Sequence, residues 1–209
     1  MIGVSMSAHN LIKSYLRRAT KDSLLGVGCY SAAILANNSL NQVVKIGSST
    51  DDPWVDYYYE VIQGMDTIHT PKVYRFYSDK SKYYIALMER LYPLDSQNSI
   101  FTHNVYKYIS GELSYTEIHE MAEAIASVPN PDAFLAFIDY IVDRTDVINR
   151  DDCEDYPECS RTLDIHPGNW MLRKNGTLVL TDPWAHYEIE SDLESWADRN
   201  IYEKYGYPA

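Results

Sequence analysis

The sequence predicts an α+β fold of two lobes in one domain of 209 residues: a small antiparallel sheet lobe with a preceding helix over 1–88, then a reduced, mainly helical lobe over 89–209. Three observations predict it. Short apolar runs broken by turn residues fill 24–88, apolar residues at helical spacing fill the middle, and two strand-like runs flank the turn pair Asn175-Gly176. With 45% apolar residues, a chain of this length buries a good core.

Taken in order, residues 8–20 read as a short amphipathic helix with Lys13, Arg17 and Arg18 outward, packing on the small lobe. Residues 24–47 read as strands interrupted by the polar turn Asn37-Asn38-Ser39-Leu40-Asn41. The run 53–63 opens on a proline suited to a first helical turn and ends at Gly64, a good cap. Residues 72–76 and 83–88 form a hairpin around Ser78-Asp79-Lys80-Ser81. Residues 115–127 are an amphipathic helix, and 132–148 place Phe134, Phe137, Ile138, Ile141, Val142 and Ile148 on one face, the buried spine of the larger lobe. A second hairpin joins 170–173 to 177–181, and 191–205 can form one further helix.

The chemistry concentrates in Leu163-Asp164-Ile165-His166-Pro167-Gly168-Asn169, followed after the second hairpin by Leu180-Thr181-Asp182-Pro183. Asn169 follows Asp164 by five positions and Asp182 follows Asn169 by thirteen. Phosphoryl transfer needs one carboxylate to orient the attacking hydroxyl, then an amide oxygen and a second carboxylate to hold the magnesium ions on a triphosphate. The order Asp, Asn, Asp supplies all three. A hairpin brings its two ends together, so Asn169 and Asp182 fall side by side, with Gly168 allowing a sharp turn and Pro183 ending strand pairing. The plain alternative is an ordinary surface hairpin with polar flanks.

Upstream, Gly26-Val27-Gly28-Cys29-Tyr30-Ser31-Ala32-Ala33 fits a glycine-rich phosphate loop, with Ser31 where a third glycine is usual and Ala33 where valine is usual. Val43-Val44-Lys45-Ile46 then puts one lysine in a buried-looking strand, where an unpaired ammonium is costly. Its expected partners are nucleotide phosphates and a helix carboxylate, Glu60, with Asp56 one turn earlier as the alternative. Met88-Glu89-Arg90-Leu91 looks like a hinge at which main-chain groups of Glu89 and Leu91 hydrogen-bond adenine.

On these motifs, spanning 24–185, the chain resembles the eukaryotic-like protein kinase fold, and within it the early serine/threonine protein kinases of T-seven-like podophages. The Asp-x-His-x-x-Asn form is also similar to that of aminoglycoside and choline kinases. The resemblance implies ATP and Mg2+ as cofactors, Gly26, Gly28, Tyr30, Ser31 and Lys45 on the nucleotide, Asp164 as catalytic base, and Asn169 and Asp182 on the metal. It further implies host protein substrates, with transcription or RNA-processing machinery among them. Two other readings stay open: a small-molecule kinase, and a pseudokinase that binds and blocks a host protein. Retention of Lys45, Asp164, Asn169 and Asp182 argues against the last.

The departures from the family pattern are informative. Thr162 stands where histidine is usual, and Leu163 replaces the arginine through which many kinases sense activation-loop phosphorylation, so that control is not expected. His166 takes the place of the catalytic-loop lysine and either touches the γ phosphate or braces the loop. Pro183-Trp184 replaces Phe-Gly, which puts the usual flip of that motif in doubt. Beyond Asp182 the sequence leaves little room for an activation segment, so the second lobe is expected to be stripped down.

Eighteen Lys and Arg against thirty Asp and Glu give a net charge of −12, which argues against direct nucleic-acid binding and favours cationic partners or plain solubility. No stretch is apolar enough to span a membrane and no leader is evident, so a cytoplasmic location is expected. The three cysteines, Cys29, Cys153 and Cys159, match no metal spacing and read as thiols. The acidic stretch 150–160 either recognises basic substrate residues or is a solvated loop. Most of the nineteen tyrosines should be half-buried packing residues.

Overall fold

The computed structural model describes residues 14, 15, 17, 20, 23–27, 31–36, 39–48, 52–78, 83–151 and 161–186. They form a mixed α+β structure of two compact units, one from the residues up to 55 and from 72–90, the other from 56–71 and 91–186. The division falls at 90/91 rather than 88/89, and the stretch 56–71 belongs with the second unit. The reason is polar as much as apolar: the Tyr57 hydroxyl donates to Leu180 O at 2.9 Å, and Glu60 binds Arg161.

The first unit is a five-stranded antiparallel sheet. Its strands are β1 (Leu24–Val27), β2 (Ser31–Leu35), β3 (Gln42–Ser48), β4 (Val73–Ser78) and β5 (Tyr83–Glu89), in the order β1-β2-β3-β5-β4. Alternation of side chains gives the sheet two distinct faces. Ile34, Val44, Ile46 and Ile85 point to one face and, with Ala36, make a buried core against which Tyr15 and Leu24 pack. Ser14, Tyr15 and Arg17 are helical, and the rest of the helix expected over 8–20, Thr20 apart, lies outside the described residues. The other face carries Ala33, Lys45 and Ala86, which are register partners across β2, β3 and β5. The expected hairpin of 72–88 forms as β4 and β5, with its turn residues 79–82 outside the described residues.

The run expected as one α-helix over 53–63 is α1 (Trp54–Tyr57) continuing as a π-helical turn (Tyr58–Ile62). The Gln63 N–H reaches Tyr58 O at 3.0 Å, five residues back, which is the wider repeat. Trp54, Tyr57 and Val61 are fully buried. Asp52 starts the helix: its carboxylate accepts from Trp54 N at 3.0 Å, with Pro53 in the first turn where no donor is lost.

In the second unit, α2 (Ser96–Ile109) is capped by Asp95, α3 (Tyr115–Ala124) by a reciprocal box between Ser114 and Glu117, and α4 (Pro131–Asp151) follows. The helix expected to reach 127 stops at Ala124. Ile125 turns extended and is buried, and Ser127 O accepts from Leu178 N at 3.0 Å, so the chain there serves the hairpin. On α4, Phe134, Phe137, Ile138 and Ile141 are buried as expected, Val142 is half-buried, and Ile148 lies outside the described side chains. Leu135 is buried as well.

Two small strand pairs complete the unit. Strands β7 (Trp170–Leu172) and β8 (Leu178–Leu180) form the expected hairpin, turning at Gly176 with φ 87°, a conformation that favours glycine. Strand β6 (Arg161–Leu163) pairs with β9 (Trp184–His186). Pro183 therefore does not end strand pairing. It moves the chain from one ladder to the other, because proline lacks only the donor and its carbonyl still accepts. The acidic residues 152–160 and the helix expected at 191–205 lie outside the described residues. No helix among the described residues is long and apolar enough to cross a membrane.

Candidate active site

The two strand pairs of the second unit bring Asp164, His166 and Asn169 together and set Asp182 between Thr181, which bonds to Asn169, and Pro183, which bonds to Asp164. Asp164 follows β6, and its N–H donates to Pro183 O at 2.8 Å, extending the ladder by one residue. The 3₁₀ turn Pro167–Asn169 comes next, with Asn169 N donating to His166 O at 2.9 Å. The Asn169 side-chain amide donates to Asp164 O at 2.6 Å and to Asp164 Oδ2 at 3.0 Å. Both partners are acceptors, which assigns Nδ2 to that side and turns Oδ1 away from Asp164. Asn169 O accepts from Thr181 N and Thr181 Oγ1, each at 2.8 Å. A bonded path therefore runs from Asp164 through Asn169 to Thr181, the neighbour of Asp182.

His166 braces this loop. Its Nδ1 accepts from Gly168 N at 3.0 Å, so the ring proton sits on Nε2, which lies 3.5 Å from Asp164 Oδ1. A side chain at 168 would collide with that ring, since a Cβ there would stand 2.6 Å from its Cε1. Gly168 thus lets the exposed ring lie close against the turn, and a side chain there would push the imidazole aside.

Asp182 is half-buried and its Oδ1 is buried. Burial, and then the charge of Asp182, push the Tyr57 hydroxyl well above its ordinary range, so Tyr57 stays protonated and keeps its bond to Leu180 O. Among the described residues no group of three or more His, Cys, Asp or Glu is placed to hold a metal ion. The residues expected to hold magnesium would offer one carboxylate, from Asp182, and one amide oxygen, Asn169 Oδ1. Such hard oxygen ligands fit an ion that takes its other positions from phosphates and water.

Beneath the loop lies a cluster the sequence reading missed. Arg161 is 6% exposed; its Nη2 donates to Glu60 Oε1 at 2.7 Å, its Nε lies 3.6 Å from Asp56, and its guanidinium stacks 4.6 Å over the Trp184 ring. The carboxylate expected to pair with Lys45, and its alternative, thus share Arg161. Trp184 is buried, donates Nε1 to Thr145 Oγ1 at 2.8 Å, and meets Tyr57 edge-on at 5.8 Å. These contacts anchor the residue that replaces glycine after Asp182-Pro183. The signal was present as Asp56 and Glu60 at helical spacing, but nothing in sequence pointed from them to an arginine a hundred positions away.

In the first unit, Lys45 is flanked in register by Ala33 and Ala86, and its Nζ lies 4.7 Å from the centre of the Trp54 ring. Gly26 is exposed in β1, with open space where a side chain would stand, and Ser31 is buried at the start of β2. Gly28 and Tyr30 lie outside the described residues. Glu89 donates its N–H to Lys72 O at 2.9 Å and accepts Lys72 N on its carboxylate at 2.8 Å, so these two groups close the sheet. Leu91 is buried. A cavity of about 420 Å³ lined by Tyr15, Val44, Ile85 and Leu87 opens on the Ile46 face, away from Lys45.

No family model matches the chain, and no curated protein does. Among solved structures, it is similar to Rad53 1–466 in complex with AMP-PNP, at 15% identity and a TM-score of 0.39 over 84% of this chain. It is also similar to the streptomycin–ATP–APH(2″)-IIa ternary complex, at 13% identity and a TM-score of 0.35 over the whole chain and 86% of that one. The chain spans 42% of the length of the Rad53 structure.

Proposed function

We propose that this protein is an ATP- and magnesium-dependent phosphotransferase with a reduced kinase-like fold. The observation that supports this best is the Asp164–Asn169–Thr181 path, which ties a half-exposed carboxylate to the residue beside a second, half-buried one. In the second unit Asp164 accepts the proton of the attacking hydroxyl, and its orientation is set by the Asn169 amide and by His166. Asn169 Oδ1 and Asp182 would hold magnesium, which when bound offsets negative charge on the phosphates. In the first unit Lys45 binds the α and β phosphates, and Gly26 and Ser31 are among the described residues of the proposed phosphate loop.

The finer reading is a serine/threonine protein kinase of phage type, cytoplasmic in the infected cell and acting on host proteins. Its support is the set of motifs shared with that family, together with the anchored Trp184, which suits an enzyme without the usual flip. A second reading is a small-molecule kinase. The placement of His166 against Asp164, within the Asp-x-His-x-x-Asn form, favours it. Purified protein incubated with labelled ATP, magnesium and either host lysate or a panel of aminoglycosides and amino alcohols separates the two: label in protein supports the first, label in a small molecule the second. Asp164→Asn should lose transfer while still binding ATP. Undiminished turnover in that variant would sink the proposed mechanism.

A further inference from the structure

We infer that Trp54 is the positioning residue for Lys45, holding the lysine through the face of its indole ring; this rests on the reading of Lys45 as the phosphate-binding lysine. Lys45 projects from the face of the sheet that carries Ala33 and Ala86 as its two register partners. Lysine carries its charge on a flexible four-carbon stem, so a fixed contact at its end restricts where the ammonium stands. Trp54 lies beside it: the Nζ stands 4.7 Å from the ring centre, within the range of attraction between a cation and an aromatic face.

The ring is itself fixed. Trp54 is fully buried and lies nearly parallel to Tyr84, with centroids 5.3 Å apart and planes at 14°, while Phe76 packs against both at 6.2 and 5.9 Å. Asp52 ties the assembly together. One of its oxygens accepts from Trp54 N at 3.0 Å, and the other accepts from the Tyr84 hydroxyl. A loop carboxylate, a strand tyrosine and the first residue of α1 thus make a rigid platform under the lysine.

Chemically, an indole differs from a carboxylate in this role. It attracts the ammonium without accepting its N–H groups and without cancelling its charge, so the ring itself does not compete with a phosphate for them. The helix carboxylate expected to do this work, Glu60, is bound to Arg161.

The test is a double-mutant cycle read as ATP affinity in the presence of magnesium, using Trp54→Leu, Lys45→Met and the double variant. Trp54→Leu should weaken ATP binding about five- to tenfold, and Trp54→Phe, which keeps a ring face, only about two- to threefold. In the Lys45→Met background neither substitution should weaken binding further, because the ring then has no ammonium to hold. If Trp54→Leu fails to fold, the cycle with Trp54→Phe decides alone. The same loss from the Trp54 substitution in both backgrounds would show a merely structural role and overturn the inference. Unchanged affinity in Lys45→Met by itself would overturn the phosphate-binding reading of Lys45 and the inference with it.

Discussion

Arg161→Met is the substitution whose cost can be worked most fully from the structure. The Arg161 side chain is 8% exposed, and it donates to Glu60 at 2.7 Å while lying over Trp184. A hydrogen bond between charged groups contributes about 1.5–3 kcal/mol, and breaking a fully buried pair costs about 3–5 kcal/mol. Glu60 is 30% exposed, so water partly re-solvates it once Arg161 is gone, and the lower range applies. The stacking on Trp184 adds about 1 kcal/mol, and Asp56, 46% exposed at 3.6 Å, adds little. The total is about 3 kcal/mol, or a fall in Tm of roughly 6–12 °C for a chain of this size. Urea unfolding followed by near-ultraviolet circular dichroism measures it, with Glu60→Gln and the double variant completing a cycle. Losses that simply add, or an Arg161→Met variant within about 0.5 kcal/mol of wild type, would refute this account of the cluster.

Asn169→Ala removes the tether on Asp164 and the proposed amide ligand for magnesium, so kcat should fall by about 100-fold or more and the magnesium requirement should rise, as a magnesium titration of the rate would show. Gly168→Ala pushes the His166 ring aside, so Gly168→Ala and His166→Ala should each lower kcat and the double variant should lose no more than His166→Ala alone; losses that simply add would contradict the bracing role. His69 is buried, donates Nδ1 to Leu178 O at 2.8 Å, and burial chiefly lowers its pKa. The unfolded chain then binds more protons, so stability held above about pH 6.5 is lost as pH falls below it. His69→Asn should flatten the pH dependence of the urea midpoint between pH 7 and 5, and an unchanged slope would argue against it.

What was legible in the sequence was what local patterning dictates. Apolar runs broken by turn residues placed the strands on either side of the 37–41 turn and the hairpin of 72–88, the helical period placed α4 down to its buried Phe134, Phe137, Ile138 and Ile141, and Asn175-Gly176 placed the later hairpin. The hairpin then carried the site, since closing it sets Asn169 beside Thr181. Helix α2 escaped notice because Ile100 and Tyr106 are exposed and blur its apolar face. The π turn after α1 depends on a five-residue repeat that composition does not signal. The pairing of β6 with β9 and the Arg161–Glu60–Trp184 cluster join residues far apart in the chain, where pattern has no reach.

Magnesium-dependent transfer of the labelled γ phosphate from ATP, compared between the wild type and Asp182→Ala, tests the central claim most directly. The account predicts labelled acceptor with the wild type only, in proportion to added magnesium, and none with Asp182→Ala although the variant remains folded. Equal labelling by both proteins, or labelling that persists after magnesium is chelated, would contradict it.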